Sequence, residues 1–286
     1  MKLVTFVEMG KDSKDARPGL VVEGGIVDLG AEGFKDAIAF IGAAESVRAE
    51  LAKAKPSLAL DKVKLLAPVP APPRVFGIGI NYAEHAKETG HETQKVPTVF
   101  PVMSSAVVGP GADVILPKAS QMVDYEAELA VVIGKAGYQI PAGQAMEHVF
   151  GYSIMNDVSA RDVQRATTQW SLGKSFPTFA PLGPWVVTKD EIADPHALGI
   201  SLAIGTGYET VKLQDSNTSM LIFKIPALIE YISGITPLEV GDVISTGTPA
   251  GVGMGRTPPR WLKAGEEMVV HIDGIGELKN RLVAER

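Results

Sequence analysis

The sequence predicts a strand-rich, mixed α/β fold with a small N-terminal α/β unit ahead of a larger one. Three observations carry this. Short β-branched runs between Gly and Pro turns dominate the chain after residue 68. Helical patterns are few, chiefly 36–54 and 219–233. The proline-rich stretch Pro68-Val-Pro-Ala-Pro-Pro73 stiffens the chain and interrupts regular structure, which divides it into 1–68 and 69–286.

In chain order, Leu3–Glu8 and Leu20–Val22 read as strands, and Ile26–Leu29 follows the hairpin signal Gly24-Gly25. Residues 36–54 are Ala-rich with helical spacing. Residues 122–134 end in a continuous apolar tail and read as one buried strand closing at Gly134. Tyr152–Met155 is a short strand before a polar turn. In 219–233, Pro226 either kinks the helix or starts it. There is no internal repeat and no low-complexity tract.

Composition narrows the function. Hydrophobic residues make up 45% of 286, enough for a full core. A net charge of −6 without blocks of like charge argues against a nucleic-acid surface. With no cysteine there is no disulfide, thiolate site or cysteine nucleophile. The first residues lack a signal-peptide pattern and no apolar run nears 18 residues, so a cytoplasmic protein is expected.

Glu126 and Glu128 interrupt the apolar run at 122–134. On a strand, i and i+2 share a face, so both carboxylates project side by side. Like charges at contact repel by roughly 4 kcal/mol at an effective dielectric near 20. A proton, a base or a metal ion must offset that. Asp157, after the 152–155 strand, supplies a third acid. An all-oxygen set favours Mg²⁺, Mn²⁺ or Ca²⁺ over Zn²⁺. The plainer reading places the two glutamates at a sheet edge, paired with arginines.

Other motifs are weighed against this one. Gly77-Ile-Gly-Ile-Asn-Tyr82 has Tyr82 where a dinucleotide fingerprint needs its third glycine, and no βαβ pattern follows. No Gly-x-Ser-x-Gly elbow occurs. Thr246–Gly253 lacks the Gly-Lys-Ser/Thr ending of a phosphate loop. His85 and Glu88, at i and i+3 of a helical turn, share a face, and a carboxylate raises the basicity of a neighbouring imidazole. A solvated surface pair has the same spacing. Residues 84–95 are polar and read as a mobile lid. Lys174 is either a snorkelling surface lysine or a donor to a developing oxyanion. Arg161 and Gln164, on the turn after Asp157, either orient a substrate or support the metal ligands, and a structural salt bridge suits Arg161 equally. His148, His196 and His271 have no assigned role.

Five segments in order then resemble the fumarylacetoacetate hydrolase superfamily over roughly residues 70–286: Gly77–His85, Asp124–Gly134, Asn156–Gln164, Gly173–Phe176 and Ser245–Gly253. The resemblance implies a mixed β-sandwich roll. It implies Glu126, Glu128 and Asp157 as ligands of Mg²⁺ or Mn²⁺, with Ca²⁺ as a third candidate. It matches His85 and Glu88 to a water-activating dyad, Lys174 to the family's lysine, and Thr248 to the position holding a substrate carboxylate. Tyr82, Arg161 and Gln164 complete the expected substrate contacts. The implied enzyme, of the acylpyruvase or fumarylpyruvate hydrolase-like branch, is a homodimer cleaving a C–C bond in a small β-diketo acid, as in aromatic catabolism. The alternative is an oxaloacetate-type decarboxylase or a hydroxymuconate-type isomerase using the same metal-held enolate. Two departures stand out. Thr218-Ser-Met-Leu221 lacks the aspartate usual before the late helix, and Gly255-Arg-Thr-Pro-Pro-Arg-Trp261 is an added loop placed at the pocket mouth.

Overall fold

The computed structural model describes residues 1–51, 53–206 and 209–286. Strands β1 (Lys2–Glu8), β2 (Arg17–Val22) and β3 (Gly25–Asp28) form an antiparallel meander. Gly24 and Gly25 turn it at φ 85° and 157°, angles open to glycine. Helix α1 (Ala37–Leu51) buries Ala37, Phe40, Ile41 and Ala44 against Leu3, Leu20 and Leu29. Strand β4 (Val63–Leu66) returns to pair with β1.

After the prolines come β5 (Val75–Gly79), α2 (Ala83–Glu88), β6 (Thr98–Val102), β7 (Val107–Val108) and β8 (Val114–Leu116). Next are β9 (Val123–Asp124), β10 (Ala127–Ile133), β11 (Val149–Asn156), β12 (Ser159–Ala160), α3 (Arg161–Gln164) and β13 (Ala180–Thr188). The chain closes with β14 (Gly199–Thr206), β15 (Glu209–Asn217), α4 (Ile225–Ser233), β16 (Val243–Ser245), β17 (Glu267–Ile272) and β18 (Gly276–Ala284).

One large sheet runs β3-β2-β1-β13-β11-β10-β16-β5-β6, and a second runs β15-β14-β17-β18-β8. The main apolar core joins Leu129, Val131 and Ile154 of the large sheet to Leu202, Val270 and Leu278 of the second. The fold is thus a strand-rich mixed α/β arrangement in which two sheets share a core. Lys2 and Leu3 pair with Val187 and Val186 of β13, so the large sheet runs unbroken across the division at 68/69.

Two details differ from the sequence reading. Residues 122–134 form two strands, with Tyr125 and Glu126 between them. Side chains replace the ladder there: Glu126 N donates to Asn156 Oδ1 (3.0 Å) and Ala127 N to Gln214 Oε1 (2.9 Å). Residues 219–233 are not one helix either. Thr218–Met220 is a single 3₁₀ turn, and α4 begins at Ile225 with Pro226 in its first turn, where no N–H is needed. Asn217 caps the 3₁₀ turn by accepting from Ser219 N (2.9 Å), whereas Lys224 at the start of α4 makes no side-chain cap.

Candidate metal centre and active site

All seven residues of β10 are buried, and the strand lies between β11 and β16. The plain sheet-edge alternative therefore does not hold for Glu128. The register Ala127↔Asn156 sets Glu126 beside Asp157 at the end of β11, and Asp157 N donates to Glu126 O at 2.9 Å. One oxygen from each of Glu126, Glu128 and Asp157 lies within 4.8 Å of the others.

Each carboxylate has different neighbours. Glu126 accepts from Arg161 Nη2 (2.7 Å) and Lys174 Nζ (2.5 Å). Asp157 Oδ2 accepts from Lys174 Nζ at 2.6 Å, while its buried Oδ1 has no partner among the described residues. Glu128 Oε2 accepts from Ser245 Oγ (2.6 Å) and Gly247 N (2.8 Å).

The proton affinities diverge accordingly. Burial pushes Glu126 up, but the charges of Lys174 and Arg161 outweigh it and hold its pKa at about 2. Burial raises Asp157 to about 6, with Lys174 opposing and Glu126 adding to the rise. Glu128 is pushed well above the carboxylate range, by burial first and then by Asp157 and Glu126. Burial works against the charge of Lys174, yet Asp157 and Glu126 raise its pKa above the ordinary lysine value.

A divalent cation fits this set. Asp124 also pairs with Arg161, through Nε at 2.8 Å, so four carboxyl groups face two cations, and ionising all four would leave two negative charges for a cation to offset. Asp157 Oδ1 is an unsatisfied buried oxygen, and all the candidate donors are hard oxygens.

Glu126, Glu128 and Lys174 line a cavity of about 250 Å³, together with His85, Gln164 and Thr248. Asp157 stands behind Lys174, and Glu88 behind His85. The segment 84–95 is anchored at its first half. In α2, His85 and Ala86 are buried, His85 Nδ1 faces Glu88 Oε2 at 3.5 Å without a hydrogen bond, and both Glu88 oxygens accept from Gly251 N at 3.0–3.1 Å. Residues 90–96 are exposed. Ile80 turns the chain from β5 into α2 with φ 56°, an unusual conformation for a branched residue at the cavity wall.

The other expected site residues are placed as follows. Arg161, 3% exposed, gives Nε, Nη1 and Nη2 to Asp124, Gln164 and Glu126, so its guanidinium braces the acids. Thr248 Oγ1 donates to Ala127 O (3.0 Å) and accepts from Gln214 Nε2 (2.8 Å). Tyr82 is buried, does not line the cavity, and has a hydroxyl without a partner among the described residues, whose pKa burial and then Glu128 raise. Arg256 is not at the mouth: its guanidinium donates to Leu213 O and Gly251 O. Arg260 pairs with Glu266 at 2.7 Å.

Three supporting residues escaped the sequence reading. Gln214 joins Ala127 N to Thr248 and Pro249, and Asn156 holds Glu126 N. Single amides on distant strands carry no local signal. Asp124 was legible, since it continues the i, i+2 series of Glu126 and Glu128.

The family model for the fumarylacetoacetate (FAA) hydrolase C-terminal domain matches residues 74–283. The chain belongs to this family. It is 45% identical over 271 residues to the oxaloacetate tautomerase FAHD2A, mitochondrial, of Bos taurus, covering 91% of this chain and 84% of that one. Two solved structures are similar over the full length of both chains. A Mycobacterium smegmatis protein provisionally assigned as HpcE superposes with a TM-score of 0.88 at 38% identity. The maleylpyruvate hydrolase of Sphingobium sp. SYK-6, in complex with manganese(II) and pyruvate, gives 0.82 at 29%. Named members thus include a tautomerase and a hydrolase, and one of them binds a divalent metal.

Proposed function

We propose that this chain is a divalent-metal-dependent enzyme that interconverts the keto and enol forms of an oxaloacetate-type 2-oxo acid. One observation carries the reading: the Glu126–Glu128–Lys174 cluster and the His85 imidazole line the same small cavity. The bovine relative's name supports the substrate class; it favours the expected alternative, an oxaloacetate-type acid on a metal-held enolate, over the C–C hydrolysis expected first, with tautomerisation in place of the decarboxylation or hydroxymuconate isomerisation expected there.

Glu126, Glu128 and Asp157 would hold Mg²⁺ or Mn²⁺. A cation held there would supply Lewis acidity, polarising a 2-oxo group and so acidifying the neighbouring C–H. The protein groups handle the proton. Glu88 faces Nδ1 of His85, which leaves Nε2 to take the proton from the carbon next to the carbonyl. The Lys174 ammonium donates towards the oxygen as negative charge develops there. Return of the proton to that oxygen gives the enol, so one C–H bond is broken and one O–H bond formed. Arg161 fixes Glu126, and Gln164 and Thr248 are the proposed substrate contacts. A contact from Tyr82 would require the cavity wall to open.

The test follows enol absorbance of oxaloacetate with Mg²⁺ or Mn²⁺. We expect acceleration over the metal alone, abolished by a chelator and restored by metal. No acceleration with Mg²⁺, Mn²⁺ or Ca²⁺ would refute the proposal.

A second reading is hydrolysis of an acylpyruvate or of a fumarylpyruvate- or fumarylacetoacetate-type acid. Similarity to the maleylpyruvate hydrolase supports it, with the His85–Glu88 pair activating water. Appearance of both cleavage products in a substrate panel would favour it. We also propose a homodimer in the cytoplasm; sedimentation as a 30.2 kDa species would refute the dimer.

A further inference from the structure

The inner end of the cavity offers no cation for a second carboxylate, since Lys174 is assigned to the oxygen of the reacting carbonyl. Arg161 gives its guanidinium nitrogens to Asp124, Gln164 and Glu126. Lys174 Nζ lies between Glu126 and Asp157. Much of the remaining wall is apolar, with Ile78, Ile80, Phe100, Trp170 and Met254. A substrate carrying a second carboxylate therefore needs a different positive group further out.

Arg165 meets that need. It follows α3, is exposed, and still lines the same cavity as Glu126, Glu128 and Lys174. Its backbone N–H is fixed to Arg161 O at 3.0 Å, which ties its position to the residue bracing the acids. Among the described residues its side chain forms no ion pair and no hydrogen bond. His91, the other titratable group on the exposed side, has its Nδ1 3.0 Å from Thr89 Oγ1. An arginine fork with free donors at the open end of a small cavity matches a carboxylate in two-point geometry.

We infer that Arg165 binds the distal carboxylate of the substrate and makes the site selective for 2-oxo dicarboxylates over 2-oxo acids with a neutral far end. This rests on the tautomerase reading above. Arg165 is assigned to specificity and takes no part in moving the proton.

The experiment compares oxaloacetate with its 4-methyl ester, which keeps the enolisable carbon and loses the second charge. Wild type, Arg165→Ala and Arg165→Lys are assayed with Mn²⁺. For oxaloacetate, Arg165→Ala should raise KM about 10–50-fold with little change in kcat. Arg165→Lys should recover part of this, because it keeps the charge and loses the fork. The ester should be a poor substrate for all three proteins. Oxalate, which needs only the inner end, is titrated by tryptophan fluorescence, since Trp170 lines the cavity. Its affinity should match between wild type and Arg165→Ala, which also shows that the variant is folded. If wild type interconverts oxaloacetate but Arg165→Ala leaves KM unchanged, the Arg165 assignment falls alone. If Arg165→Ala weakens acid, ester and oxalate alike, Arg165 acts on the inner end and the assignment also falls. If wild type turns over no 2-oxo acid, the tautomerase reading fails and takes the assignment with it.

Discussion

Replacing Lys174 by methionine removes the cation that separates two buried carboxylates. Lys174 is 1% exposed, with Nζ 2.5 Å from Glu126 and 2.6 Å from Asp157. Taking one partner from a buried ion pair costs about 3–5 kcal/mol. For a chain of this length that is about 5–8 °C in Tm. The loss should depend on pH with a definite sign. In the native protein Lys174 holds Glu126 at about 2, below its ordinary 4.5, so the associated stability is present above pH 4.5 and lost as pH falls towards 2. Without Lys174, one of the two cations that oppose burial is gone and the folded pKa of Glu126 rises. The variant therefore takes up a proton at a higher pH than wild type, so the gap between the two narrows as pH falls. Calorimetry of chelator-treated protein at pH 3 and pH 8 reads this directly. The deficit should be full at pH 8 and clearly smaller at pH 3, closing as pH falls towards 2, and Mn²⁺ should recover part of it at pH 8. A variant as stable as wild type at pH 8, or a deficit equal at both pH values, would refute the charge balance drawn for the site.

Glu128→Gln keeps the shape and removes the charge of a group whose ionised form burial and the neighbouring acids disfavour, so chelated protein should keep its Tm while losing the stabilisation by Mn²⁺; a large loss of metal-free stability would contradict this. In wild type, Mn²⁺ must displace protons from Glu128 and Asp157, so affinity by calorimetric titration should strengthen from pH 5 to pH 8, up to about tenfold per pH unit for each proton released, and a flat profile would argue against these ligands. His85→Ala should lower turnover about 10²–10⁴-fold with Mn²⁺ binding retained; loss of metal together with activity would make His85 part of the metal site. Gln214→Leu strands the N–H of Ala127 and should cost about 1–3 kcal/mol in denaturant unfolding, with no loss expected if that N–H finds another acceptor.

The acids of the site were legible because a strand has a period of two and three carboxylates cannot gather without compensation. Glu126 and Glu128 share a face despite the break at Tyr125–Glu126, since the register with β11 keeps both turned towards Asp157. The break was not legible. It depends on Asn156 and Gln214 replacing ladder hydrogen bonds, and these residues are 30 and 87 positions from their partners. The anchoring of α2 was hidden in the same way. Residues 84–95 look unattached in sequence, and what attaches them is a glutamate bonded to the backbone of Gly251. Strand and helix positions in 1–51 followed local pattern closely. Nothing local could show that β1 pairs with β13, a contact across more than 180 residues.

Glu128 stands on a strand with every residue buried and neighbours on both sides, whereas Arg165 and His91 stand on exposed backbone at the rim of the same cavity. The two regions answer to different selection. A change on β10 disturbs the core and the acids together, so that strand is nearly closed to drift. A change at the rim typically alters stability by less than about 0.5 kcal/mol. Descendants of one ancestor can therefore exchange the group that greets the far end of the substrate while the acids at the floor stay fixed.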